Sequence, residues 1–303
     1  MTHTDTPVVF VHTGQSQVIV TACVVQARGA GCKRIIVISD RIGPWRLIPG
    51  VEHFSVFNAE DYGLREFRSL FVNYSSYPDD YARVIMERYF ALRALFAKRS
   101  LKRILHLDSD LLLFAPVQEL EALYDCDFSG SDSAADNHES VSPHFMFLTP
   151  QACERVCMDL LATYGSAEGR ERLARLWEHK KATNPEWGVS DMDFIAFLRD
   201  SGDFKYARVN QGNPRVDISI QSAEGFITEK GLKRIAFENG KPYGVLEATH
   251  ERVFFHALHL QGYLKHLIIH YAQLNRLYKK LFYVLWALEG RGWLKWPLAM
   301  FPN

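Results

Sequence analysis

Nothing in the 303 residues approaches the roughly 20 consecutive apolar residues needed to cross a bilayer, so no spanning helix is expected. The start, "MTHTDTPVVFVHTG", has neither a basic opening nor a long apolar run, and no secretory leader is expected. An excess of one charge is also missing: 35 Lys and Arg balance 35 Asp and Glu, which argues against nucleic acid as a partner. Cysteine is sparse and scattered. Cys23, Cys32, Cys126, Cys153 and Cys157 form no C-x-x-C pair, which argues against a zinc site or disulfide framework and reads as reduced core thiols of a cytosolic protein. No internal repeat or low-complexity linker interrupts the chain.

What is present is globular: 48% hydrophobic and 23% charged residues suffice for a sizeable core. "PVVFVHTG" is a β-branched run ending in a glycine turn, "SQVIVTACVVQARGAG" has helical spacing, and "RIIVISD" reads as a second buried strand. This β-α-β unit places His12, Thr13, Gly14 and Asp40 at the carboxyl edge of a parallel sheet, where such sheets bind ligands. "DDYARVIMERYFALRALFAKRS" is an amphipathic helix delivering the chain into the strand "KRILHLDSD". Further strands are expected at "DFSGSD" and "SPHFMFLTP". Helices follow in "QACERVCMDLLATYG", "GRERLARLWEHKKA" and "GVSDMDFIAFLRDSG", then short strands over 203–256. The fold class is α/β, a single domain over 1–270 with a mixed, mostly parallel central sheet flanked by helices, followed by a C-terminal extension over 271–303.

In "RILHLDSDLLLF" two carboxylates, Asp108 and Asp110, interrupt an apolar run. Asp-x-Asp arises by chance on the order of once in such a chain, and Asp125/Asp127 and Asp191/Asp193 also fit it. The apolar context sets Asp108-Ser109-Asp110 apart. Unpaired, these carboxylates would suffer desolvation or repel each other until one took up a proton. A hard divalent cation, Mn²⁺ or Mg²⁺, removes the conflict, because such ions use one or two carboxylates plus phosphate oxygens. A salt bridge to an arginine or a strand-end cap is the structural alternative. A phosphatase-type nucleophile is discounted, since Leu111, Leu112 and Leu113 stand where a threonine would be needed.

Late in the chain, "HLQGYLK" contains His259-x-x-Gly262-x-x-Lys265. An imidazole ligand, a glycine permitting close backbone approach and a mobile cation each suit a metal diphosphate. Together, "RILHLDSDLLLF" and "HLQGYLK" resemble the GT-A glycosyltransferases, in particular the retaining family 8 type that includes glycogenin and bacterial lipopolysaccharide galactosyl- and glucosyltransferases. The layout agrees over roughly residues 8 to 268, with the two motifs in the family's order. The resemblance implies a GT-A domain, a UDP-sugar donor and Mn²⁺ or Mg²⁺. It assigns Asp108, Asp110 and His259 to the metal, Ser109 to the ribose side, and Gly262 and Lys265 to the diphosphate. It also assigns the donor phosphates to Arg88, with Arg93 as the competing choice. "SDMDFIAF" is similar to the family's Asp-Gln-Asp segment, which nominates Asp191 and Asp193 as catalytic carboxylates beside the donor sugar.

Two departures accompany the resemblance. His266-Leu267 replace the family's Pro-Trp, and Met192 replaces the glutamine, leaving a thioether that cannot donate a hydrogen bond. Asp191 and Asp193 also fit plain helix capping. The polar loop with Asp132, Asp136, Asn137 and His138 is the candidate for sugar hydroxyls.

From Lys265 onward six Lys or Arg face one acid, Glu289, interleaved with Tyr, Phe and Trp. This extension suits either an amphipathic helix resting on anionic lipid or a terminal helix packed on the protein. The expected function is metal-dependent transfer of a hexose from a UDP-sugar to a glycan or lipid-linked saccharide, in bacterial-type surface polysaccharide assembly. That places the chain in the cytoplasm or at the inner membrane face. The alternative is a non-catalytic sugar-nucleotide or carbohydrate-binding protein on a degenerate transferase fold.

Overall fold

The computed structural model describes residues 6–14, 17–132, 140–274, 279, 280 and 282. Three parallel strands open the chain: β1 (Val8–His12), β2 (Ile35–Ser39) after helix α1 (Gln17–Gly29), and β3 (Val51–Ser55). Helices α2 (Leu64–Leu70) and α3 (Asp79–Arg99) follow, with two acids in the first turn of α3 and two bases in its last, the polarity a helix dipole favours. Ser100, left-handed at φ 49°, ends α3 and turns the chain into β4 (Ile104–Leu107), parallel to β1.

Past β4 the chain bends at Asp108-Ser109-Asp110 and leaves the sheet as β5 (Leu111–Leu113). It returns through α4 (Val117–Leu123) to β6 (Phe128–Asp132), β7 (Val141–Ser142) and β8 (Phe145–Leu148). β8 runs antiparallel to β4, so the order is β3-β2-β1-β4-β8-β6-β7. Helices α5 (Pro150–Gly165), α6 (Ala167–Thr183) and α7 (Asp191–Ser201) start at side-chain caps from Thr149, Ser166 and Ser190. β9 (Tyr206–Arg208) then lies parallel to β6. The expected mixed, mostly parallel sheet flanked by helices is the observed one.

Strand alternation divides the core. Val8, Phe10, Leu105 and Leu107 bury one face against α1, whereas Val9, Ile36, Ile38 and Ile104 bury the other against α3, α5 and α7.

Rather than extending the first sheet, the short strands expected over 203–256 form, for the most part, a second one. Its strands are β10 (Arg215–Val216), β13 (Ala236–Glu238), β14 (Lys241–Val245) and β15 (Arg252–His259), with a separate hairpin of β11 (Thr228–Glu229) and β12 (Leu232–Lys233) beside it. β5 joins this sheet, running antiparallel to β15 with Leu111 opposite His259. The three apolar residues of β5 are too short to stand alone, and pairing with β15 satisfies their backbone groups. A 3₁₀ turn, Gly262–Leu267, and the short helix α8 (Ile268–Tyr271) follow. Most of the extension over 271–303, including its proposed membrane face, lies outside the described residues.

Candidate metal and nucleotide site

β4 runs beside β1 with Leu107 opposite Phe10, so Asp108 emerges at the same sheet edge as His12 and Thr13. The Asp108 amide donates to the His144 carbonyl at 2.9 Å, and the Leu111 amide donates to the Asp108 carbonyl at 3.1 Å, closing the bend. Leu260 then donates its amide to the Asp110 carbonyl at 3.1 Å, which brings the end of β15 against the same bend. By this pairing two motifs about 150 residues apart in sequence become neighbours.

The ligand atoms of Asp108, Asp110 and His259 lie within 4.8 Å of one another. His259 Nε2 is 3.4 Å from Asp110 Oδ1, and Lys265 Nζ is 3.1 Å from Asp110 Oδ2. The other ring nitrogen, Nδ1, is 2.8 Å from the Ile218 carbonyl, so it carries the proton and Nε2 faces the carboxylates. Two carboxylates and an imidazole form an oxygen-rich donor set of a kind that fits Mn²⁺ or Mg²⁺.

Protein cations occupy the same carboxylates. Arg88 Nη1 donates to Asp108 Oδ1 at 2.6 Å, and its Nε lies 3.3 Å from Asp191 Oδ2. Burial pushes the Asp108 carboxyl up, but Arg88 and His106 outweigh it and hold the group well below the usual carboxylate range. Asp110 behaves alike: burial is overcome by His259 and Lys265, and its pKa falls. Conversely, burial pulls His259 down, yet hydrogen bonding to Asp110 raises it to about 9. The salt-bridge alternative and the metal reading thus describe the same side chains, with Arg88, His259 and Lys265 as counterions.

Asp191 is buried at the start of α7 and accepts from the Tyr89 hydroxyl at 3.3 Å. Burial outweighs Arg88 there and raises its pKa. Asp193 is placed differently. Its Oδ2 accepts from the Ser190 amide at 2.9 Å in a capping box, and its Oδ1 is 2.5 Å from Lys180 Nζ. Asp193 is thus held by the helix start and by Lys180, whereas Asp191 joins the cluster through Arg88. Met192 occupies the turn between them.

The remaining candidates divide. Gly14 donates its amide to Asp40 Oδ1 at 3.3 Å, so the His12–Gly14 turn and Asp40 form one rim beside the bend. Ser109 turns its carbonyl to the Cys23 thiol at 3.4 Å, which ties the bend to α1. Gly262 opens the 3₁₀ turn at φ 63°, a left-handed conformation suited to glycine, and this turn carries Lys265 back to Asp110. Arg93 pairs with Glu154 and the Tyr62 carbonyl, away from the cluster, so Arg88 is the arginine at the site. Even Arg88 is engaged by two carboxylates and the Ile85 carbonyl, which differs from a guanidinium free for phosphates. Asp132 accepts from Tyr206 at 2.6 Å and from Arg199 at 3.2 Å, while Asp136, Asn137 and His138 lie outside the described residues.

Two further histidines join the cluster, one of them from outside the two motifs. His106, fully buried in β4, sits 3.6 Å from Asp108 and 3.3 Å from Arg88. His144 stacks on His259 at 4.4 Å and 5° between planes, and burial together with the His259 charge lowers its pKa to about 3. For His106 alone a hint existed, an imidazole inside the apolar "RILHL".

No protein-family model matches the chain, and no curated protein does. Among solved structures, mouse xyloside xylosyltransferase 1 in its apo form is similar over 68% of this chain and 85% of its own, at 12% identity and a TM-score of 0.46. The apo form of the glycosyltransferase GlyE of Streptococcus pneumoniae is similar over 94% of this chain and 64% of its own, at 14% identity and TM-score 0.42. The galactosyltransferase LgtC, in complex with donor and acceptor sugar analogs, is similar over 67% and 73%, at 14% identity and TM-score 0.36.

Proposed function

We propose that this chain is a GT-A glycosyltransferase that moves a hexose from a UDP-sugar to a saccharide hydroxyl with the help of Mn²⁺ or Mg²⁺. One observation carries the reading: Asp108, Asp110 and His259 converge within 4.8 Å of one another, with Lys265 beside them. A bound cation would be held by these three, and it would supply neutralisation of the charge that builds on a departing diphosphate.

The chain's own groups perform the rest. Lys265 is the counterion of Asp110 while the site is metal-free. Once Asp110 is otherwise neutralised, its ammonium is free to donate to diphosphate oxygens. The left-handed Gly262 lets the backbone of this turn approach the same oxygens without a side chain in the way. Asp191 supplies negative charge as the anomeric carbon becomes positive, and Arg88 holds it in register with Asp108. The acceptor hydroxyl then attacks on the face the diphosphate leaves, with retention, and its proton passes to the leaving phosphate oxygen.

The test is release of UDP from a panel of UDP-hexoses with Mn²⁺. Metal-dependent release that EDTA stops, and that Asp110→Asn reduces by about a hundredfold or more, supports the reading. Equal turnover by that variant overturns it. Met192, lying where a hydrogen-bonding glutamine is expected, favours the second reading of a non-catalytic sugar-nucleotide binder. Tight UDP-sugar binding with no release under any metal selects that one.

A further inference from the structure

Behind His259 lies an ion pair that no step above uses. Lys233 Nζ and Asp217 Oδ1 are 2.6 Å apart, and neither side chain has any exposed surface. Glu224 is a second, partly exposed acceptor for Lys233 at 2.8 Å and is itself 3.6 Å from Arg215. Burying two full charges carries a desolvation penalty, and apolar pairs of similar volume commonly hold a core as well or better. The position of this pair bears on His259.

Asp217 begins a strap, residues 217–220, laid along β15. Its amide donates to the Ala257 carbonyl at 3.0 Å, and the Ile220 amide donates to the His259 carbonyl at 3.1 Å. The other carboxylate oxygen, Oδ2, accepts from the His259 backbone amide at 3.4 Å. Its carbonyl is 3.2 Å from Nε2 of His144, the ring stacked flat on the His259 imidazole. One residue on, the Ile218 carbonyl receives His259 Nδ1 at 2.8 Å. Lys233 closes the strap from the far side, because its amide donates to the Ile220 carbonyl at 2.9 Å while its ammonium holds Asp217. Asp217 thus touches the backbone of His259, the ring above it and the segment that decides which of its nitrogens is protonated.

We infer that Asp217 and Lys233 are positioning residues that fix the His259 imidazole in its Nδ1–H tautomer and so present Nε2 to the cation. The inference rests on the metal reading of Asp108, Asp110 and His259. Groups that orient a ligating histidine from behind are worth about ten- to a hundredfold in metal affinity.

The experiment compares the full chain with the paired variant Asp217→Leu/Lys233→Met, which removes both charges together, and with Asp217→Asn. Thermal melting reports the fold, Mn²⁺ titration reports affinity, and ¹⁵N shifts of labelled histidine in the metal-free protein, at a pH where the ring is neutral, report the His259 tautomer. A paired variant that melts near the wild type, binds Mn²⁺ about tenfold or more weakly and shows a mixture of tautomers is the expected result. Unchanged tautomer overturns the inference, whether or not affinity changes. Asp217→Asn reads the same quantities if the paired variant does not fold. Wild-type protein that ignores Mn²⁺, together with the tautomer shift in the variant, would remove the metal reading and leave the positioning role standing.

Discussion

Asp110 is nearly water-free and carries two positive partners, so any incoming cation competes with a proton and an ammonium already in place. His259 holds its proton up to about pH 9, because Asp110 outweighs the burial that alone would lower it. A metal must displace that proton. Mn²⁺ affinity should therefore rise by about tenfold per pH unit from near neutrality and level off as the pH approaches 9. Calorimetric titration at several pH values checks this, and a flat profile would count against His259 as a ligand. Lys265 competes at the same carboxylate without a proton to lose in this range. Lys265→Met is accordingly expected to tighten the metal in the absence of nucleotide by a fewfold, yet to weaken binding of UDP in its presence, as separate titrations would show.

Helix α7 brings together the catalytic candidate and its support. Ser190 caps it, Asp193 completes the capping box and pairs with Lys180, and Asp191 is thereby held toward Arg88. The two acids should separate by experiment. Asp193→Asn breaks a buried pair and is expected to cost about 3 kcal/mol of stability while leaving turnover per folded molecule near normal. Asp191→Asn should cut turnover by about a hundredfold with a smaller change in melting, as expected when charge that acts only in the transition state is lost. Denaturant melts alongside UDP release tell these apart, and parallel losses in both variants would refute the division. Just before the helix, a Cβ on Gly188 would lie 2.1 Å from Ser75 Cβ and 2.5 Å from its Cα. Gly188→Ala must therefore push the Ser75 segment away from the approach to α7, with an expected cost of about 1–3 kcal/mol and lower turnover. A wild-type melt would show that the segment yields without cost.

Across the molecule, the site is a seam between two sheets. Asp108 continues from β4 of the first and Asp110 leads into β5 of the second, so folding places two carboxylates where the sheets part. The metal-free protein should be stabilised by these charges only within a pH window. Asp108 and Asp110 have lowered pKa values, so their contribution is complete above the ordinary carboxylate range and is lost as pH falls through the folded values. His259 has a raised one, so its share is complete below about 6.5 and is lost as pH rises through about 9. Because His259 and Asp110 are partners, these are two edges of one interaction. Chemical unfolding of wild type and His259→Asn across pH should converge at alkaline pH. A constant gap between the two curves would contradict this origin.

Much of this is legible in the sequence. Apolar runs, largely β-branched in β1 and β2, mark β1, β2 and β4, and helical spacing marks α1 and α3, since a strand buried on both faces and a helix buried on one leave those traces in a linear chain. The acidic pair in "HLDSDLLLF" and the spacing of His259, Gly262 and Lys265 pointed to one chemistry, because few residue types satisfy a hard cation and a diphosphate. Other relations left no such trace. That β5 departs to a second sheet, that Arg88 bridges Asp108 and Asp191, that Asp193 turns to Lys180, and that Asp217 and Lys233 stand behind His259 all depend on contacts between positions distant in the chain. Local propensity and spacing carry what neighbours in sequence impose on each other. Which of several identical carboxylates meets a cation, a cap or a lysine follows from how the packed elements close upon one another in space.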